Sequence, residues 1–335
     1  MDPEEAHELV AAGARFSQLV PFADAILRGT FEFNNPRLHV RVCGIDFKNP
    51  IGMGAGFDKT GELYPFLSNM GFGHVECGTF TRHGQPGNPK PRLFRFPEQA
   101  ALINRMGFNN PGADHAAGCF AKQRHGAIRG INLGKSKVTE LNDARDDYLY
   151  SLAKLSVFAD YIAINVSSPN TPGLRQLQEK DRLADLLGAV RAQCRVPLFL
   201  KLAPDLTESA LDDALGAAEG KCDGFIICNT TIDKSSVGSD LEGGLSGAPL
   251  ARRSLEMLRI TRKKVGSKVA LISVGGIGSA EEALLRIRAG ASLIQIYTAY
   301  IYGGPFLPAT ILRGINDFCS RENTTVNDLI GVDAK

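Results

Sequence analysis

An α/β fold, a (β/α)8 TIM barrel with a short N-terminal helical appendage, is predicted by three observations. Eight short apolar runs rich in β-branched residues recur along the 335 residues. Helical patterns separate them, and polar or glycine-rich clusters follow them. The runs are Pro50 to Gly56, His74 to Thr79, Ile128 to Leu133, Tyr161 to Val166, Leu198 to Leu202, Phe225 to Cys228, Val269 to Val274 and Leu293 to Tyr297. Runs this short and this apolar read as parallel strands buried on both faces. Between them, Leu183, Leu186, Leu187 and Val190 fall at helical spacing, as do Leu211, Ala214, Leu215 and Ala218. Eight strands is the count that closes a barrel, with an open doubly wound sheet as the alternative.

Two segments fall outside the alternation. Residues 1–30 form the helical appendage, with one pattern over Pro3 to Gly13 and a second over Arg15 to Gly29 that carries Phe16, Leu19, Val20, Phe22, Ile26 and Leu27. This apolar set reads either as a satellite core or as a hydrophobic mouth. Within the barrel, residues 40–320, the stretch Arg82 to Ala127 is an insertion with a hairpin of Arg92 to Phe96 and Ala101 to Asn104 turning at Pro97 and Glu98. The polar tail after Ser320 is expected to fray.

Composition excludes several classes. Lys plus Arg at 38 against Asp plus Glu at 36 leave a net charge of +2, so no global field points to nucleic acid. Seven scattered cysteines suggest a reducing compartment rather than a disulfide framework. The acidic start MDPEEAHELV is not a secretory leader, and no run is long enough to span a bilayer. The six histidines show no metal spacing and read as surface or cap residues, so no metal is expected. Gly130, Gly134, Lys135 and Ser136 imitate a P-loop with the wrong glycine spacing, and Gly52, Gly54 and Gly56 start a dinucleotide fingerprint that Phe57 interrupts. Arg262, Lys263 and Lys264 read as a solvated helix end.

A barrel places its chemistry at the C-terminal strand ends. Those positions hold Ala55, Gly56, Phe57, Asp58 and Lys59; Thr79; Asn132; Asn165, Ser168 and Asn170; Lys201; Cys228, Asn229 and Thr230; Gly276; and Tyr297 and Thr298. Asn and Lys dominate. Asn supplies a donor and an acceptor in one plane and Lys a charge, which suits a planar ligand with ring amides and an anionic group, such as a flavin or a pyrimidine carboxylate. Asn and Gly as ordinary turn formers are the competing reading. Gly275, Gly276 and Gly278 before the helix Ala280 to Arg288, with Gly243, Gly244 and Gly247 as a second glycine edge, favour a phosphate-bearing cofactor. With no His at the mouth, Ser168 is the candidate base, and a hydroxyl can act so only in a dry, positively charged site.

The runs AGFDK (Ala55 to Lys59), INRMGFNN (Ile103 to Asn110), GINLGK (Gly130 to Lys135), NVSSPNTPGLRQLQ (Asn165 to Gln178), NTT (Asn229 to Thr231), GGLSG (Gly243 to Gly247) and SVGGI (Ser273 to Ile277) resemble the dihydroorotate dehydrogenase family, in order along nearly the whole chain. Ser168 and the opening DPEEAH resemble its quinone-dependent class 2 branch. The resemblance implies oxidation of dihydroorotate to orotate in pyrimidine synthesis, with FMN as hydride acceptor and a membrane quinone as final acceptor. It implies FMN contacts at Ala55, Gly56, Phe57, Asp58, Lys59, Thr79, Asn132, Asn165, Lys201, Cys228, Gly247, Gly276, Tyr297 and Thr298. Cys228 departs from the Thr that many relatives carry there. Implied substrate contacts are Lys59, Asn104, Arg105, Met106, Gly107, Phe108, Asn165, Asn170, Asn229 and Thr230, with Ser168 as base. A quinone tunnel at His7, Arg95 and Tyr297 is implied, with peripheral contact at the cytoplasmic face of a bacterial inner membrane, or at the mitochondrial inner membrane in a eukaryote. A soluble class 1-like enzyme and a non-catalytic FMN-binding protein are the alternatives.

Overall fold

The computed structural model describes residues 1–171 and 173–334; Pro172, within the run Asn165 to Gln178, lies outside them. Eight parallel strands close into a barrel: β1 (Ile51–Met53), β2 (His74–Phe80), β3 (Ile128–Leu133), β4 (Tyr161–Asn165), β5 (Leu198–Leu202), β6 (Gly224–Ile227), β7 (Ala270–Val274) and β8 (Leu293–Ile296). Each pairs with the next in sequence, and β8 returns to β1 through Ile294↔Ile51. The apolar runs are continuous because both faces are covered, by the interior on one side and by helices on the other. Leu183, Leu186, Leu187 and Val190 are the buried stripe of helix Lys180–Gln193, and Leu211 and Ala214 belong to that of Glu208–Ala218.

The insertion hairpin forms from Leu93–Phe96 and Ala101–Asn104, and a third strand, Gly244–Gly247, joins it antiparallel with Leu245 opposite Ile103. The second glycine edge is therefore a strand, chosen for close backbone approach. A second hairpin, Val40–Val42 with Ile45–Phe47, had no signal in sequence because each strand is three residues long. Phe47 packs against His74 at the start of β2, so this hairpin covers the N-terminal end of the barrel.

Three expectations are corrected. The tail does not fray: Thr325 and Asp328 form a capping box on helix Val326–Leu329, whose Val326 is fully buried. His74 is no surface residue but lies buried between Phe47 and Tyr161, and burial lowers its pKa to about 4. Arg262 is not solvated either; it is buried and donates to the carbonyls of Gly266, Val269 and Gly290, where the positive φ of Gly290 lets the chain pass close to the guanidinium.

The appendage is two helices, α1 (Pro3–Ser17) and α2 (Ala23–Phe31). Asp2 caps α1 by accepting from the N–H groups of Glu4 and Glu5, and α1 runs through Gly13, so the break falls later than the sequence suggested, at residues 18–22. Phe22 there adopts a left-handed φ of 65°. Glu4 is buried and accepts from both Nε and Nη2 of Arg92 on the insertion, with Nη2 at 2.7 Å. Burial pushes the Glu4 carboxyl up, but the hydrogen bond and charge of Arg92 and the charge of Lys90 outweigh it and leave the pKa below the ordinary value. α2 buries no residue fully. Leu9, Phe16, Leu19, Phe22 and Ile26 face outward, with Phe22 82% exposed, so they do not form a satellite core. No helix among the described residues is long and apolar enough to cross a membrane.

Candidate active site

One cavity of about 820 Å³ runs from between α1 and α2 to the C-terminal strand ends, a size typical of small-molecule sites. Its outer part is apolar, lined by Val10, Leu27, Phe31, Phe66 and Met70, and its inner part is polar, lined by Asn104, Asn165, Ser168, Asn170, Lys201 and Asn229. Seven of the eight strand ends contribute, all but that of β3, because parallel strands present their C-terminal residues to the same mouth. Asn165 and Lys201, for instance, are register partners on β4 and β5.

The inner end is held by a side-chain network. Asn132 Oδ1 accepts from Thr79 Oγ1 at 2.6 Å and from Asn165 Nδ2 at 3.3 Å. Asn165 Oδ1 accepts from the hydroxyl and the N–H of Ser167, and Ser167 Oγ accepts from Asn229 Nδ2 at 3.0 Å. Asn170 Nδ2 donates to the carbonyl and side-chain oxygens of Asn104, tying the β4 loop to the insertion hairpin. Ser168 differs from its neighbour. Its Oγ accepts only a long bond from the N–H of Asn170, at 3.3 Å, and its own O–H has no acceptor among the described residues.

Beneath this layer Glu76 is fully buried in the barrel interior and accepts from Asn132 Nδ2 (2.7 Å), Gln295 Nε2 (2.6 Å), Tyr161 Oη (3.3 Å) and Lys201 Nζ (3.4 Å). Four strands thus converge on one carboxylate, and Lys201 is its counter-ion, itself nearly buried. Lys201→Ala should therefore destabilise the fold by about 3–5 kcal/mol, because it leaves an uncompensated internal charge. Denaturant unfolding checks this, and the double variant Glu76→Gln/Lys201→Met should recover most of the loss. A single variant as stable as the parent would contradict the pairing.

Lys59 is half-buried and opens onto the cavity. Its Nζ donates to Gly56 O at 2.5 Å, and burial first, then Arg92, lowers its pKa to about 8 against the opposing pull of Glu4 and Asp58. Tyr297 Oη donates to the same Gly56 carbonyl at 3.0 Å. Phe57 stacks edge-on with His7 of α1, Tyr297 and Tyr300, joining the appendage to the mouth. Burial, with Lys59 nearby, brings His7 down to about 4, so it is neutral at physiological pH.

The remaining rim is backbone. Gly247, at φ 103°, approaches Ala100 so closely that a Cβ would lie 2.2 Å from its carbonyl oxygen, and Gly276, at φ 73°, meets Ala251 in the same way at 2.4 Å. Side chains are thus excluded from the rim where helices Ala251–Val265 and Ala280–Arg288 begin, and a bare backbone edge beside a helix start suits an anion.

This barrel and this ring of strand-end residues match a known family. The family model for dihydroorotate dehydrogenase matches residues 37–319. The chain belongs to the dihydroorotate dehydrogenase family. A relative in this family from Gloeobacter violaceus, dihydroorotate dehydrogenase (quinone), is 48% identical over 94% of this chain and 90% of its own length. One of the same name from Thermobifida fusca is 43% identical over 99% of this chain and 93% of its own. The ligand-free dihydroorotate dehydrogenase of Eimeria tenella superposes with a TM-score of 0.90 at 36% identity and covers 100% of both chains.

Within this dehydrogenase frame, most residues singled out from sequence line the one cavity: Ala55, Gly56, Phe57, Lys59, Thr79, Asn165, Lys201, Cys228, Gly247, Gly276, Tyr297 and Thr298, with Ser168, Asn104, Met106, Gly107, Phe108, Asn170, Asn229 and Thr230, and His7 and Arg95 at the outer part. Three do not line it. Asp58 turns inward and accepts from the N–H groups of Gly61 (2.8 Å) and Leu63 (3.1 Å), shaping the loop that carries Lys59. Asn132 lies one layer down in the network. Arg105 turns outward, donating to Pro91 O and pairing with Glu242. Sequence reading passed over Glu76 and Gln295, although a charged and an amide residue inside otherwise apolar strands were the available signal. It also passed over Ser246, whose Oγ accepts from Thr298 Oγ1 at 2.9 Å.

Proposed function

We propose that the protein oxidises dihydroorotate to orotate, using FMN bound at the barrel mouth and a quinone as final acceptor, at a membrane surface. The observation that carries the reading is one continuous cavity: its polar end holds two lysines and a serine hydroxyl whose proton has no acceptor among the described residues, and its apolar end opens between two helices studded with exposed hydrophobic residues. The curated relatives named above carry the quinone-dependent name. The side-chain-free edge at Gly247 and Gly276 leaves bare backbone for a phosphate, which supports a nucleotide cofactor such as FMN.

The flavin, when bound, supplies the hydride acceptor. The chain's own residues do the rest. Asn104, Asn165, Asn170 and Asn229 present alternating donors and acceptors to the planar substrate, and Lys59 faces its carboxylate. Ser168 Oγ takes the proton from C5 as hydride leaves C6, and its own hydroxyl proton passes to water in the cavity. Phe108, together with the hairpin loop, keeps bulk water from this end. Arg95, His7 and Tyr297 border the route by which the quinone head approaches. α1 and α2 rest on the lipid surface through Leu9, Phe16, Leu19, Phe22 and Ile26. In a bacterium that surface is the cytoplasmic face of the inner membrane, and in a eukaryote the mitochondrial inner membrane.

The test is steady-state turnover of dihydroorotate by the purified, FMN-loaded protein with a soluble quinone, compared with fumarate and NAD. Turnover with quinone alone supports the reading, whereas preference for fumarate or NAD, or a protein that takes up no FMN, overturns it. Lys59 adds a pH signature. Orotate affinity should be flat below pH 7 and fall above about 8, by up to about tenfold per unit, as the cation is lost. The sign for stability is opposite. The unfolded chain keeps that proton to about 10.4, so this group's contribution to stability rises between about pH 8 and that value. Orotate titrations from pH 6 to 10 check the first effect, and Lys59→Gln should bind weakly with no pH trend.

A further inference from the structure

Three arginines are buried in the barrel wall, and two of them are accounted for. Arg262 spreads its N–H groups over three backbone carbonyls. Arg129 donates from Nη1 to Phe158 O and lies flat over the rings of Tyr64 and Phe120, at 3.8 and 4.7 Å, whose faces stand against its unbonded Nε and Nη2. Arg286, 2% exposed on helix Ala280–Arg288, has neither arrangement. Only its Nη2 is engaged, donating to Ala251 O at 2.6 Å and Gly275 O at 3.2 Å, while Nη1 is buried without a partner. Among the described residues no carboxylate oxygen lies within 4.0 Å of it; Glu282, one turn earlier, instead accepts from the N–H of Gly278. A buried guanidinium without a counter-ion costs several kcal/mol unless an anion stands nearby.

Its position says where that anion belongs. Gly275 O is held from two sides, by Arg286 and by Ser254 Oγ at 2.7 Å. In a planar trans peptide the carbonyl and the following N–H point in opposite directions. Clamping Gly275 O into the wall therefore turns the N–H of Gly276 toward the cavity that both glycines line.

We propose that Arg286 is a positioning residue of the anion cradle: it clamps the Gly275 and Ala251 carbonyls so that the Gly276 N–H faces the cofactor phosphate, and its buried charge is compensated by that phosphate. The inference rests on the FMN reading above and adds to it a residue that does not itself line the cavity.

The experiment titrates the flavin-stripped full-length chain with FMN and with riboflavin, which lacks the phosphate. Arg286→Met should weaken FMN binding about 10- to 100-fold and leave riboflavin binding within about threefold, as expected when one N–H to the phosphate loses its fixed direction and a nearby buried charge is removed. Arg286→Lys, which keeps the charge without the fork, should fall between, and Ser254→Ala, which frees one side of the same carbonyl, should lower the FMN preference less. If Arg286→Met does not fold, the lysine and Ser254 variants carry the same comparison. FMN affinity unchanged, or equal losses for both flavins, overturns the role of Arg286. A parent protein that binds neither flavin overturns the FMN reading instead.

Discussion

Replacing Ser168 by alanine should slow reduction of the bound flavin by dihydroorotate about 10²- to 10⁴-fold, the range for loss of one general base, while FMN and orotate still bind. The geometry singles this serine out. Ser167 is already engaged with Asn165 and Asn229, whereas the Ser168 hydroxyl borders the cavity with its proton uncommitted. A hydroxyl is a weak base in water. It gains from its buried place in the cavity that Lys59 and Lys201 also line. Ser168→Cys should keep part of the activity and shift its optimum to lower pH, since a thiol has a pKa of about 8.5. Stopped-flow flavin bleaching measures both variants. Near-parent rates in Ser168→Ala would assign the proton to another group.

Removal of residues 1–30 should abolish most turnover with a long-tailed quinone, yet leave single-turnover flavin reduction by dihydroorotate close to the parent rate. The inner end of the cavity is built by the strand ends and the hairpin, and the outer end by Val10, Leu27 and their neighbours. Truncation also strips Glu4 from Arg92, which keeps the carbonyls of Pro86 and Asn88 as acceptors. A milder variant avoids that loss. Leu19→Asp/Phe22→Asp places charge on two exposed apolar positions, away from Glu4, and should reduce turnover with quinone in vesicles more than with a short-tailed soluble quinone. Equal activity of the truncated and intact chains with the long-tailed quinone would make the appendage purely structural.

The barrel was legible because parallel strands bury both faces, so each appears as an uninterrupted apolar run, and the eight runs coincide with β1 to β8 to within a few residues. The strand ends were legible for a related reason: Asn and Lys directly after a buried strand have few structural uses in such number. What escaped has physical causes. The hairpin of residues 40–47 is too short to show a period. Gly244–Gly247 reads only as a glycine edge, because glycine hides the pairing that its own backbone makes with Ala101–Asn104. Arg262 and His74 look like surface residues by type, and only the carbonyls and rings that tertiary structure gathers around them make burial tolerable. Gly13 does not stop α1, because a single glycine costs a helix only about 1 kcal/mol and capping by Asp2 and docking of Glu4 outweigh it.

The Glu4–Arg92 pair makes the entrance mechanically lopsided. α1 is riveted to the insertion by a buried two-pronged contact, while α2, which buries no residue fully, is held by Leu27 and Phe31 against the core, by one hydrogen bond from Asn69 to Asp24, by the Lys48–Glu32 ion pair at its C-cap and by the rings of Phe31 and Phe306, 4.8 Å apart. A guest pushing into the apolar end therefore meets one fixed jamb and one that yields. Tails of different length or bulk should then be accommodated by displacement of α2 about the stretch at residues 18–22, with the placement of His7, which rides on the fixed helix, the same for each of them.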